Sequence, residues 1–113
     1  MKLPNGKHAV VPEAKLTRYL LNPAHIAGGS KAAFFFRFGF TANGWEEMAR
    51  TLLRHAQDNV LAQTAATPYG TRYVVDGPLD APDGSSLNIR SAWFIDTHHS
   101  IPRFVTAHPL PRL

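Results

Sequence analysis

Residues 86–96 read SLNIRSAWFID. Leu87, Ile89, Ser91, Trp93 and Ile95 alternate with Asn88, Arg90, Ala92 and Phe94. A period of two over so long a run predicts a strand with two unlike faces. The stretch decides the fold, because its neighbours read the same way. Thr71–Asp76 is rich in β-branched and aromatic residues, and Ala81-Pro82-Asp83-Gly84 is a hairpin signal between the two. Strands joined by a hairpin are antiparallel. Val60–Thr67, before the turn Pro68-Tyr69-Gly70, reads as a weaker strand, and Pro102–His108 as a last one.

Upstream of Val60 the period becomes helical. Trp45, Met48, Ala49, Leu52, Leu53 and Ala56 form a core-facing stripe, with Asn43 as a cap, Glu46 three residues on, and Glu46 and Arg50 as an i, i+4 pair. Pro12, Glu13, Leu16, Tyr19 and Leu20 predict a short helix over 12–21, stopped before Asn22-Pro23. Ser30 predicts the N-cap of a second helix, Lys31 to Phe38, closed by Gly39. The fold class is α+β: three N-terminal helices packed on one face of an antiparallel sheet of about four strands. One domain is expected over 1–113, with a helical half at 1–59, the sheet at 60–109 and a tail at 110–113. The second sheet face must be solvated or hold a ligand.

Composition narrows the chemistry. The 113 residues include no cysteine, which excludes a disulfide scaffold, thiolate zinc, an Fe–S cluster and a Cys nucleophile. No apolar run approaches the ~20 residues that span a bilayer, and residues 1–7 lack the apolar middle of a signal peptide, so a cytoplasmic protein with no membrane partner is expected. The formal charge of +4 is uneven: residues 1–56 carry +5 and residues 57–113 carry −1. No acidic residue lies between Glu13 and Glu46, whereas Lys15, Arg18, His25, Lys31 and Arg37 do. Such a one-sided patch attracts polyanions.

Gly28-Gly29-Ser30-Lys31 runs two glycines into a capped helix, so its N–H groups are expected to face an anion beside a hydroxyl and an ammonium. It is not a Walker loop, because the lysine follows the serine. His25 lies six residues before Lys31, and histidine is a residue type suited to acid–base work. Arg90 sits on the face of the central strand opposite Leu87, Ile89 and Trp93, where a cation is solvated, paired or free for an anion. Alternation along the last strand puts Thr106 and His108 on one face with Phe104, and Arg103, Val105 and Ala107 on the other. In a suitable register Arg90, Thr106 and His108 converge. His98-His99 carries neither metal-ligand spacing nor carboxylate support, so no metal and no cofactor is expected.

Leu3-Pro4-Asn5-Gly6, Ala9-Val10-Val11-Pro12, Tyr19-Leu20-Leu21-Asn22-Pro23 with His25, and Gly28 with Lys31-Ala32 and Phe34-Phe35 resemble an uncharacterised bacterial family of about this length. So do Tyr69-Gly70-Thr71-Arg72-Tyr73, Gly77-Pro78-Leu79, Pro82-Asp83-Gly84, Arg90, Trp93, and Pro102-Arg103 with Val105-Thr106-Ala107. That family usually has Tyr at the position of His108 and Thr at that of Ser91. In fold order it is similar to the barnase–EndoU–colicin–RelE group of metal-independent ribonucleases, many of them bacterial toxins. The resemblance implies an RNA-cleaving domain driven by attack of the ribose 2′-hydroxyl on phosphorus. His25 is then expected as base or acid, Lys31 and Arg90 on the phosphoryl oxygens with Gly28, Gly29 and Ser30, Thr106 as positioner, and His108 as a second proton carrier. RNA and a cognate immunity or antitoxin protein are the expected partners, with the oligomeric state open. The alternative is a non-enzymatic interaction domain that binds a protein or nucleic acid through the same basic half.

Overall fold

The computed structural model describes residues 1–111. Four strands, β1 (Leu61–Thr67), β2 (Gly70–Asp80), β3 (Ser86–Asp96) and β4 (Arg103–Pro109), form an antiparallel sheet in the order β1-β2-β3-β4. The helices precede it: α1 (Glu13–Lys15), which runs directly into one wider π-helical turn (Leu16–Leu20), then α2 (Gly29–Arg37) and α3 (Trp45–Asp58). The class is α+β, as the alternation of periods implies. Among the described residues no helix is long and apolar enough to cross a membrane.

The core lies between the helices and one sheet face. Leu16, Leu20, Phe35, Met48 and Leu52 pack there with Val75, Leu79, Ile89, Trp93 and Phe104, all fully buried. At ~25 cal/mol per Å² of apolar surface, each such side chain contributes roughly 1.5–3 kcal/mol relative to exposure. Trp93 and Phe104 meet edge to face, with centroids 5.4 Å apart. α3 is pinned to the sheet by polar contacts as well. Trp93 Nε1–H donates to Ser91 Oγ at 2.9 Å, and Ser91 Oγ lies 2.9 Å from His55 Nδ1. His55 Nε2 lies 3.1 Å from the Gly77 carbonyl and 3.0 Å from the Ile89 carbonyl. Carbonyls only accept, so Nε2 carries the proton and Nδ1 accepts from Ser91. The chain of donors and acceptors closes with no buried side-chain polar atom left over among the described residues.

Three local expectations are revised. Ser30 does not cap α2, which begins one residue earlier at Gly29 with Gly28 at the cap position. Asn43 does not cap α3; Gly44 holds that place, its N–H donating to Thr41 Oγ1 at 2.9 Å. Strand β2 continues past Asp76 through Gly77 and Pro78 to Asp80. Pro78, itself exposed, is tolerated because β1 pairs with β2 only as far as Val75, and residue 77 is a glycine because a Cβ there would stand 2.2 Å from Asn59 Oδ1.

A fourth revision bears on the site. Ala92 pairs with Thr106, but Trp93 pairs with Phe104, so Val105 is the surplus residue of a β-bulge. The bulge resets the alternation of β4. Phe104 and Ala107 face the core beside Trp93 and Ser91, and Thr106, His108 and Arg103 share the outer face with Ala92, Arg90 and Phe94. The expected grouping of Thr106 with Phe104 is therefore wrong, and that of Arg103 with Ala107 likewise. The two sheet edges also differ. Val10 pairs with Arg103 and closes the β4 edge, its N–H donating to the Pro102 carbonyl and its carbonyl accepting from Phe104, both at 2.9 Å. Ala62–Thr67 of β1 is exposed throughout.

Candidate functional site

The π turn decides where Tyr19 points. It widens the helix by one residue per turn, and such turns recur at functional positions. Leu16 and Leu20 go to the core, while Tyr19, half-buried, reaches the β4 edge. There Tyr19 Oη lies 2.8 Å from Thr106 Oγ1 and accepts a hydrogen bond from Lys31 Nζ at 2.7 Å. Lys31 Nζ also lies 3.5 Å from Thr106 Oγ1, at the limit of a hydrogen bond. Three elements thus deliver one hydroxyl or ammonium each to a single point: the π turn, the first turn of α2, and β4 after its bulge.

The surroundings of this point are positive. The ammonium of Lys31 approaches Tyr19 from its hydroxyl end, and that of Lys15 stands 5.7 Å from the ring centroid, within cation–π range. Ion pairs among the described residues join Arg90 to Asp76 and Arg103 to Asp96, and neither lysine is part of one. Burial alone raises the Tyr19 phenol. Hydrogen bonds with Lys31 and Thr106, and the charges of Lys31 and Lys15, more than reverse that, so its pKa lies below the ordinary value.

His25 stands against this group, its ring edge-on to Tyr19 with centroids 5.0 Å apart. Its Nδ1 accepts from the amide N–H groups of Ala27 and Gly28, each at 3.0 Å, and its carbonyl accepts from Gly29 N–H at 2.8 Å. The Gly28 and Gly29 amides expected to face an anion are therefore turned onto His25. These glycines have a packing reason to be glycines. A Cβ on Gly28 would stand 2.2 Å from the Tyr19 carbonyl oxygen, and one on Gly29 2.7 Å from that of Pro23. Close approach of the loop to the π turn is what brings Lys31 within reach of Tyr19. Ser30 is exposed, and Ile26, at the tip of the loop, is fully exposed.

Arg90 is placed differently. Its guanidinium makes two 2.8 Å bonds to Asp76 on β2, the side away from β4. Those bonds hold the Asp76 carboxyl below its ordinary pKa and raise that of Arg90. No hydrogen bond joins Arg90 to Tyr19, Lys31 or Thr106. His108 is opposite Arg90 in register, and its Nδ1 lies 3.1 Å from the Pro109 carbonyl. The structure therefore gathers His25, Lys31 and Thr106 around Tyr19 and sets Arg90 and His108 one step further along the same face. Among the described residues no three His, Asp or Glu side chains form a group able to hold a metal ion.

Tyr19 was absent from the residues to which the sequence points. Its place in the helical stripe with Leu16 and Leu20 reads as core. The available signal was charge: Lys15 precedes it by four residues, the spacing that stacks two side chains on one helix face.

The antiparallel sheet with helices on one face has a counterpart among solved structures. One solved structure, a contact-dependent growth inhibition toxin–immunity protein complex from Klebsiella pneumoniae 342, contains a similar chain: TM-score 0.72 at 17% identity, covering 95% of this chain and 97% of that one. The likeness is one of fold. Residues 2–111 match the model of a family described as a domain of unknown function (DUF6883), and the chain belongs to that family. No curated protein matches it.

Proposed function

We propose that the chain is a toxin-type domain that cleaves RNA without a metal ion, by attack of a ribose 2′-hydroxyl on the adjacent phosphorus. The observation that carries this reading is the Lys31–Tyr19–Thr106 cluster: a cation and two hydroxyl groups in mutual contact, half-exposed, and ion-paired with no carboxylate among the described residues. An unneutralised ammonium among hydroxyl donors stabilises the charge that builds on phosphoryl oxygens as phosphorus becomes five-coordinate. In this reading Lys31 holds the scissile phosphate and Thr106 orients it. Arg90 and His108, ~7 Å along the face at two residues of strand rise, contact the next part of the backbone, Arg90 by sharing Asp76. His25 builds the loop that carries Lys31. Dependence on the 2′-hydroxyl makes the substrate RNA and not DNA.

The test uses purified protein, total RNA and tRNA in EDTA, with product ends identified. Cleavage leaving 2′,3′-cyclic phosphate ends, reduced about 100-fold by Lys31→Ala, is the expected result. RNA left intact by the wild-type protein ends the proposal.

A second reading, a non-catalytic domain docking on an acidic protein, draws on one observation: Ile26 is fully exposed beside the same positive cluster. An isolated apolar residue within a basic surface suits a partner with an apolar pocket ringed by carboxylates. For a toxin that partner would be its immunity protein. Growth arrest on induced expression favours the enzyme, and harmless high-yield expression favours the interaction domain.

A further inference from the structure

We propose that Tyr19 is the general base of the reaction, its oxygen held between Lys31 Nζ and Thr106 Oγ1 so that it can take the proton of the attacking 2′-hydroxyl. The inference rests on the RNA-cleaving reading above and names the group that moves the proton.

What each partner can donate fixes the direction of these hydrogen bonds. Lys31 has only donors, so Tyr19 Oη accepts from it in either protonation state. Thr106 can do both. When Tyr19 is a phenol it donates to Thr106, and when it is a phenolate Thr106 turns its hydroxyl and donates back. The heavy atoms keep their places in both states, so ionisation demands little reorganisation. The groups facing Tyr19 are Lys15 from its own helix, Lys31 from α2, the His25 ring from the loop and Thr106 from β4. Two are cations and no carboxylate is among them.

The competing histidines are placed less well for this step. His25 Nδ1 is taken by two amide donors, which puts its proton on Nε2 and leaves no lone pair for substrate. His108 makes no hydrogen bond to Lys31, Tyr19 or Thr106.

The step balances. The Tyr19 phenolate takes the 2′-hydroxyl proton, the 2′-oxygen bonds to phosphorus, and the bond from phosphorus to the 5′-oxygen breaks with its electron pair. The 5′-oxygen takes a proton from water, and Tyr19 returns its proton to the hydroxide so formed. The products are a 2′,3′-cyclic phosphate and a 5′-hydroxyl.

Spectroscopy separates this proposal from the reading it rests on. The chain has three tyrosines, so Tyr69→Phe with Tyr73→Phe leaves Tyr19 as the single phenol. Its ionisation, followed by tyrosinate absorbance, is expected at lower pH than that of free tyrosine and should move upward in Lys31→Met. The rate of RNA cleavage should rise with pH through the same midpoint and shift with it. Tyr19→Phe, which keeps the ring and its packing, should lower cleavage 10²–10⁴-fold, about the range of a lost general base. A phenol that titrates at or above free tyrosine overturns the assignment even if the protein cuts RNA, and so does full activity in Tyr19→Phe. Wild-type protein that cuts no RNA overturns this assignment together with the reading beneath it.

Discussion

Two side-chain networks join the helices to the sheet, and they are built to opposite specifications. His55, Ser91 and Trp93 sit in the core, and every donor there has an acceptor. Tyr19, Lys31 and Thr106 sit half-exposed at the β4 edge with an excess of donors and of positive charge. A closed network fixes geometry, because each broken bond leaves a desolvated polar atom behind. An open one has capacity to spare for a ligand. The same fold uses the first to lock α3 onto β2 and β3, and the second to join the π turn and α2 to β4 with donors to spare.

The contrast can be broken most severely from the closed side. Ser91→Ala strands both Trp93 Nε1–H and His55 Nδ1 in a fully buried site and should cost about 2–4 kcal/mol, read from urea unfolding. Gly28→Ala comes next. It forces a Cβ against the Tyr19 carbonyl and should cost about 1–3 kcal/mol as the loop moves off the π turn. This variant should lose RNA cleavage as well, because Lys31 travels with the loop.

Acid should produce a smaller loss from the closed network. Burial is the largest influence on His55 and lowers its pKa, against the opposing pull of the Gly77 and Ile89 carbonyls. The unfolded chain then binds a proton near pH ~6.5 that the folded one refuses. The stability this group contributes is complete above that pH and is lost as pH falls through the lowered folded value. Unfolding midpoints compared at pH 7.5 and 5 should show the decline, and a midpoint unchanged between them would remove His55 as its cause. Smallest in stability is Lys31→Ala, expected within about 0.5 kcal/mol of wild type because it breaks a half-exposed contact. A large destabilisation there would mean that the open cluster is structural after all.

The parts of this fold set by local period are legible in the sequence. Residues 86–96 and 45–58 form the strand and helix that their alternation and stripe dictate, since each pattern matches one backbone and no other. His55 is harder to see. It falls within the α3 stripe, and nothing nearby in sequence announces that Ser91 and two carbonyls await it. The site was legible in its cations but not in its assembly. Lys31, His25 and Thr106 stand out as chemistry-bearing residues, while Tyr19 is hidden by apolar spacing. The pairing of Thr106 with Ala92 depends on a bulge that costs one residue and leaves no mark in composition. Whether Arg90 is solvated, paired or free is hidden in the sequence, because its carboxylate, Asp76, lies on another strand.

Tyr19 and Thr106 owe their meeting to two single-residue insertions, one that swells the π turn and one that forms the bulge at Val105. Each insertion acts as a phase setting. Rewinding residues 16–20 as ordinary α-helix, with none removed, would swing whatever follows by about 100°, the angle of one residue in 3.6. Ironing out the bulge with Val105 still in the chain would put Thr106 on the side of the sheet that Phe104 now occupies. In a lineage of such domains, a residue gained or lost at either place would leave the cluster intact only where the π turn or the bulge came or went with it.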